Sequence, residues 1–82
     1  MDNDKKFLEN LLKLLVSKPK KVKVTRTVNE RGVLLTVDVD PEDLGTLIGK
    51  QGRNIGAIRH MVRMIGLQEK AFVSVKVNQP EQ

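Results

Sequence analysis

Between residues 22 and 39 the chain gives up helical spacing for alternation, and that stretch leaves the fold few options. Val22, Val24 and Val28 alternate with Lys23, Thr25 and Thr27, and Val33, Leu35, Val37 and Val39 then alternate with Thr36 and Asp38. A period of two sends the β-branched residues to one side of a pleated strand, so each run reads as a half-buried strand. Asn29-Glu30-Arg31-Gly32 supplies turn chemistry between them, which makes an antiparallel hairpin with one apolar face. A two-stranded hairpin is marginal in water. The rest of the chain must therefore cover that face.

The cover is helical. Residues 5–17 place Leu8, Leu11, Leu12 and Leu15 on one face with Phe7 and Leu14 beside it, and Pro19 is expected to end this helix. Asp40 suits an N-cap and Pro41 the first helical position. Glu42 and Asp43 put negative charge in the first turn of a short helix reaching about Ile48. A further helix over residues 53–66 holds Ile55, Ile58, Val62 and Ile65 within about 80° of one another at 100° per residue, with Gly66 as its expected C-cap. Val73, Val75 and Val77 alternate with Phe72, Ser74 and Lys76 in a last strand. The order is αββααβ. Because the helical pair joins the second strand to the third, those two should run parallel, giving an α+β fold with a three-stranded mixed sheet and three helices on one face.

At 82 residues the chain accommodates one domain, read as residues 1–78 with a polar tail at 79–82. With no cysteine and a single histidine, His60, neither a disulfide framework nor a metal site is expected, and no cofactor is implied. Glu9, Asn10 and Lys13 interrupt the apolar run of the first helix, no small-residue cleavage site follows, and no run approaches the ~20 residues of a membrane span. A soluble, cytoplasmic protein without membrane contact is expected.

Fifteen Lys and Arg against ten Asp and Glu give a net charge of +5, gathered in two places. One cluster is Lys18, Lys20, Lys21, Lys23 and Arg26; the other is Lys50, Arg53, Arg59 and Arg63. Such clustering points to a polyanionic partner. For the first cluster, plain solubility is the competing reading.

The second cluster surrounds Gly49-Lys50-Gln51-Gly52, which joins two helical patterns. Without a Cβ, both glycines can adopt positive φ and let a phosphate or sugar lie against the main chain. The amides and dipole of the following helix favour an anion there, Lys50 and Arg53 can each neutralise a phosphate, and no carboxylate stands in the tetrad. Ile48-Gly49-Lys50-Gln51-Gly52-Arg53-Asn54-Ile55-Gly56-Ala57-Ile58 resembles the signature of a KH domain, a GXXG loop with isoleucines three and six residues beyond its second glycine. From about Phe7 to Val77, including Asp40-Pro41-Glu42-Asp43-Leu44-Gly45, the chain is similar to the short bacterial single-KH proteins of the KhpA/YlqC family. One departure is Asn54-Ile55-Gly56, where that family more often has small or basic residues with alanine in the middle.

The resemblance implies a type II KH domain that clamps about four nucleotides of single-stranded RNA and a role as an RNA chaperone. It further implies self-pairing, or pairing with a KhpB/Jag-type protein, and a place in cell-shape and cell-wall regulation. The RNA-binding residues carried over are Ile48, Gly49, Lys50, Gln51, Gly52, Arg53, Ile55, Gly56 and Arg59. Ile48 and Ile55 are expected to touch bases in an apolar cleft, core packing being their alternative. Phe7 and Phe72 are the only aromatic residues, so stacking platforms of the RRM kind are missing. Glycine in mid-helix costs about 1 kcal/mol relative to alanine, so Gly56 clears space for a ligand, permits close packing of two helices, or is an unselected residue.

Other classes fit less well. Gly45-Thr46-Leu47-Ile48-Gly49-Lys50-Gln51 has three residues between its glycines, where a P-loop needs four, and Gln51 stands where Ser or Thr should follow the lysine. No catalytic set is present, so neither an enzyme nor a small-molecule substrate is expected. A helix-turn-helix DNA binder would share the basic second helix, and a protein-interaction module with a vestigial loop would share the fold; the hairpin and the glycines in the turn itself favour the KH reading.

Overall fold

The alternating valines form a three-stranded sheet of order β1-β2-β3, with β1 at Lys23–Asn29, β2 at Gly32–Asp38 and β3 at Val73–Val77. The computed structural model describes residues 3–79. Residues 80–82, most of the expected polar tail, lie outside the described residues, as do Met1 and Asp2. β1 and β2 pair antiparallel, with Val24 opposite Val37 and Val28 opposite Val33, and Arg31 N donates to Asn29 Oδ1 at 2.8 Å across the turn. β2 and β3 pair parallel, with Val33 beside Val73 and Leu35 beside Val75. The mixed sheet and the order αββααβ are those of a type II KH domain.

Three α-helices accompany the sheet: α1 at Asn3–Leu15, α2 at Leu44–Ile48 and α3 at Arg53–Gln68. The core joins Leu8 and Leu12 of α1, Leu47 of α2 and Ile55, Ile58 and Val62 of α3 to Val24, Val33, Leu35, Val37, Val73 and Val75 of the sheet. Each fully buried aliphatic side chain contributes roughly 1.5–3 kcal/mol by leaving water. The helical stripe on α3 and the period-two pattern on the strands thus meet in one apolar layer.

Four expectations need correction. The first helix ends at Leu15, ahead of Pro19, because the chain's next amides turn to a carboxylate far along the sequence. Val16 N still bonds Leu12 O at 3.0 Å, but Ser17 N and Lys18 N donate to the Asp43 carboxylate at 2.9 and 3.1 Å, and Ser17 Oγ adds a third bond at 2.7 Å. Pro19 instead opens a single 3-10 turn at Pro19–Lys21. Within α1, Leu15 and Leu14 are solvent-exposed, and Val16 takes the buried position that the leucine stripe assigned to Leu15. Val28 lies on the core side of the sheet yet is 62% exposed, since it stands at the end of edge strand β1.

The last correction concerns Gly66, which is buried inside α3 rather than capping it. A Cβ there would lie 2.5 Å from Val73 Cγ2 and 2.9 Å from Ala71 O, so Gly66 lets α3 press against the start of β3. The helix ends two residues later in a Schellman arrangement: Ala71 N bonds Gly66 O at 2.8 Å, Lys70 N bonds Leu67 O at 3.1 Å, and Lys70 takes the left-handed position at φ 57°. A lysine pays about 1 kcal/mol for that conformation.

Two buried carboxylates tie the helices down. Asp4 in the first turn of α1 is 2% exposed and receives Arg26 Nε at 3.2 Å. Position 26 shares the face of Val24, so this arginine points from β1 toward the helices and meets the acid there. Asp43 binds the end of α1 to the start of α2, and its three donors hold its carboxyl below the usual aspartate range, the Ser17 amide being the largest cause.

Candidate nucleic-acid interface

Asp40 caps the chain's turn out of the sheet as expected: its side chain accepts the Glu42 amide at 2.9 Å, and Pro41–Asp43 forms a 3-10 turn leading directly into α2. After Ile48 the backbone bends sharply. Gly49 takes φ 76° and ψ 172°, a region that essentially only glycine occupies. Gln51 follows at φ 57° and ψ 26°, and Gly52 at φ 76° and ψ 16°. Three of four tetrad residues are thus left-handed, which reverses the chain between α2 and α3 within a single 3-10 turn at Lys50–Gly52.

The loop is held by its own main chain. Gly49 N bonds Gly45 O at 2.8 Å and Gly52 N bonds Gly49 O at 3.1 Å. No side chain caps the start of α3 and no acidic residue lies in its first turn, so the positive end of the helix dipole is unopposed. Lys50 and Arg53 are exposed on either side. Among the described residues, no hydrogen bond or ion pair holds the side chains of Lys50, Arg53 or Arg63.

The residues expected to form the site are placed as follows. Ile48 is half-buried against the core, and Gly49, Lys50, Gln51, Gly52 and Arg53 follow as one continuous surface turn. Ile55 is buried in the core at 6% exposure. Gly56 is exposed on α3, and nothing lies within 4 Å of where its Cβ would be, so close helix packing does not explain it. Arg59 is exposed but its Nε donates to Val75 O at 3.2 Å, which turns it toward β3.

The other basic cluster is partly consumed by the fold. Lys18 Nζ lies 2.9 Å from Glu42 and 3.6 Å from Asp40, and its pKa is raised chiefly by the Glu42 bond. Arg26 is engaged with Asp4. Lys20, Lys21 and Lys23 remain exposed.

Sequence reasoning missed Asn54. Its side-chain amide donates to Thr46 O at 2.7 Å, crossing from the first turn of α3 to α2 over the tetrad. No spacing rule connects residues 46 and 54; only the left-handed turn brings them together. Among the described residues no acid, cysteine and histidine group could hold a metal, and no helix is long and apolar enough to cross a membrane.

Comparison with known proteins bears on the chain as a whole. The family model for the KH domain of KhpA and KhpB matches residues 5–77. The RNA-binding protein KhpA of Clostridium perfringens is 40% identical over 73 residues, covering 89% of this chain and 97% of that one. KhpA of Clostridium acetobutylicum is 38% identical over the same shares, and KhpA of Streptomyces coelicolor is 44% identical over 59 residues, 72% of this chain and 75% of the relative. No solved structure gives a significant match.

Proposed function

Because the chain belongs to the KhpA/KhpB family of KH-domain RNA-binding proteins, we propose that it clamps about four nucleotides of single-stranded RNA at Gly49-Lys50-Gln51-Gly52. The observation that carries this reading is the loop itself, a left-handed, carboxylate-free bend in front of an uncapped helix, flanked by the unengaged cations Lys50 and Arg53.

The sugar-phosphate strand runs along residues 49–53. Main-chain amides and the helix dipole meet one phosphate, and Lys50 and Arg53 neutralise its neighbours. Gly56, one turn further along α3, leaves room for a sugar or base, and Arg59 marks the β3 side of the same surface. Ile48, half-buried beside the tetrad, offers bases an apolar surface, and Ile55 packs in the core behind it. With few phosphate contacts and no aromatic platform, affinity is modest and salt-sensitive.

A module of this strength gains most from a second one, because linked sites multiply their affinities. We read the protein as an RNA chaperone in the cytoplasm, working as a homodimer or with a KhpB/Jag-type partner in post-transcriptional control of cell shape and wall synthesis. The test of the binding step is a fluorescence-anisotropy titration of a labelled single-stranded oligoribonucleotide against a labelled DNA duplex of equal length. Preference for the single strand supports the clamp; preference for the duplex would replace it with helix-turn-helix binding.

A further inference from the structure

The left-handed tetrad lies between two helices whose ends must stay together, and one side chain spans that gap. In a continuing helix the Lys50 amide would meet the Thr46 carbonyl. The conformation of Gly49 carries residue 50 away, leaving Thr46 O among the end carbonyls that need an outside donor. Asn54 Nδ2 supplies it at 2.7 Å. The same side chain lies over the α-carbon of Gly49: a Cβ there would sit 2.6 Å from Asn54 Cγ and 2.8 Å from its Nδ2.

We infer that Asn54 is a positioning residue for nucleic-acid binding, a strap that caps α2 from α3 and locks the glycine loop in its binding shape before RNA arrives. Gly49 and Asn54 then form one unit. Gly49 provides a surface flat enough for the carboxamide, and the carboxamide fixes the distance between the two helix ends. The strap closes the eight-residue span from Thr46 to Asn54, so the ordering cost is met during folding instead of during binding. Asn54 is exposed, and its removal should leave the core untouched.

This inference rests on the RNA-clamp reading above, and the experiment separates the two. Asn54→Ala, Gly49→Ala and the double variant are compared with the parent by thermal unfolding, by amide hydrogen exchange of residues 49–53 without RNA, and by titration with a single-stranded oligoribonucleotide. The expected result for Asn54→Ala is a midpoint close to the parent's, exchange in the loop accelerated about tenfold, and affinity lowered about fivefold, the equivalent of one hydrogen bond. Gly49→Ala should harm affinity less in the Asn54→Ala background than in the parent, because two of its three close contacts, those with Asn54 Cγ and Nδ2, are gone and only the one with Cβ remains. Parent-like loop exchange and affinity in Asn54→Ala, with the parent binding RNA, would overturn the strap alone. A parent that binds no RNA would overturn the clamp and the strap's role with it.

Discussion

Around Pro19 two of the five basic side chains, Lys18 and Arg26, are drawn to the protein's own acids, whereas around Gly49 no basic side chain meets an acid among the described residues. Lys18 reaches Glu42 and Asp40, and Arg26 is held by buried Asp4. Lys50 and Arg53 have no such partner among the described residues, and the helix behind them begins without a cap or an acid. In sequence both stretches point to a polyanion, with plain solubility competing for the first. The difference teaches that a basic cluster signals a ligand only when the fold supplies no acid of its own to meet it.

The sharpest way to break this contrast is to reverse charge in both places. Lys50→Asp with Gln51→Asp should lower affinity for single-stranded RNA by at least about a hundredfold, through lost phosphate contacts and new repulsion, while the circular dichroism spectrum stays parent-like. Lys20→Asp with Lys21→Asp, an equal number of substitutions outside the loop, should change affinity by no more than about threefold at 0.15 M salt, where separated charges are screened. Equal losses from the two double variants would erase the distinction.

Next in size is the structural side of the comparison. Arg26→Ala leaves Asp4 buried without its cation, and denaturant unfolding should show a loss of about 3 kcal/mol, with the RNA affinity of the folded protein preserved. The two glycines of α3 extend the same separation of fold from site. Gly56→Ala should stabilise by up to about 1 kcal/mol through helix propensity, and Gly56→Leu should weaken RNA binding without unfolding; unchanged affinity for the leucine variant would remove Gly56 from the site.

Smaller effects test the electrostatics. For single strands, the slope of log K against log salt falls by about 0.7 for each phosphate contact, so Arg53→Ala should flatten the slope by about that amount and Lys18→Ala should leave it unchanged. On the acid side, Asp43 has a lowered folded-state pKa. Its stabilisation is therefore complete above the ordinary aspartate value and fades as pH drops through the folded value. Asp43→Asn should destabilise the protein at neutral pH and reduce the loss of stability below about pH 4, read as thermal midpoint against pH.

Much of this architecture is legible in the chain because its signals are local and agree with one another. The valine alternation names the strands and the Ile55-Ile58-Val62 stripe names the buried side of α3. The acidic start at Asp40 and the glycine tetrad mark the helical pair. What stays hidden is set by tertiary contacts between distant residues. Pro19 seemed sufficient to end α1, but Asp43, some 25 residues on, takes the amides that end it first. Gly66 looked like a cap by composition, and only the approach of Val73 explains it as a packing glycine. Val28 fits the core pattern, yet it stands exposed at the end of the edge strand. At the site, the tetrad and its flanking cations were readable, while Asn54 was not, because its hydrogen bond exists only once three left-handed residues have folded the chain back on itself.

The most direct test of the central claim is a heteronuclear NMR titration of the whole chain with a short single-stranded oligoribonucleotide at low ionic strength. The account predicts that the largest amide shift changes fall on Gly49, Lys50, Gln51, Gly52 and Arg53, with Gly56 following and Lys20 and Lys21 nearly still. Saturable binding that shifts amides elsewhere while those five stay unmoved would contradict it.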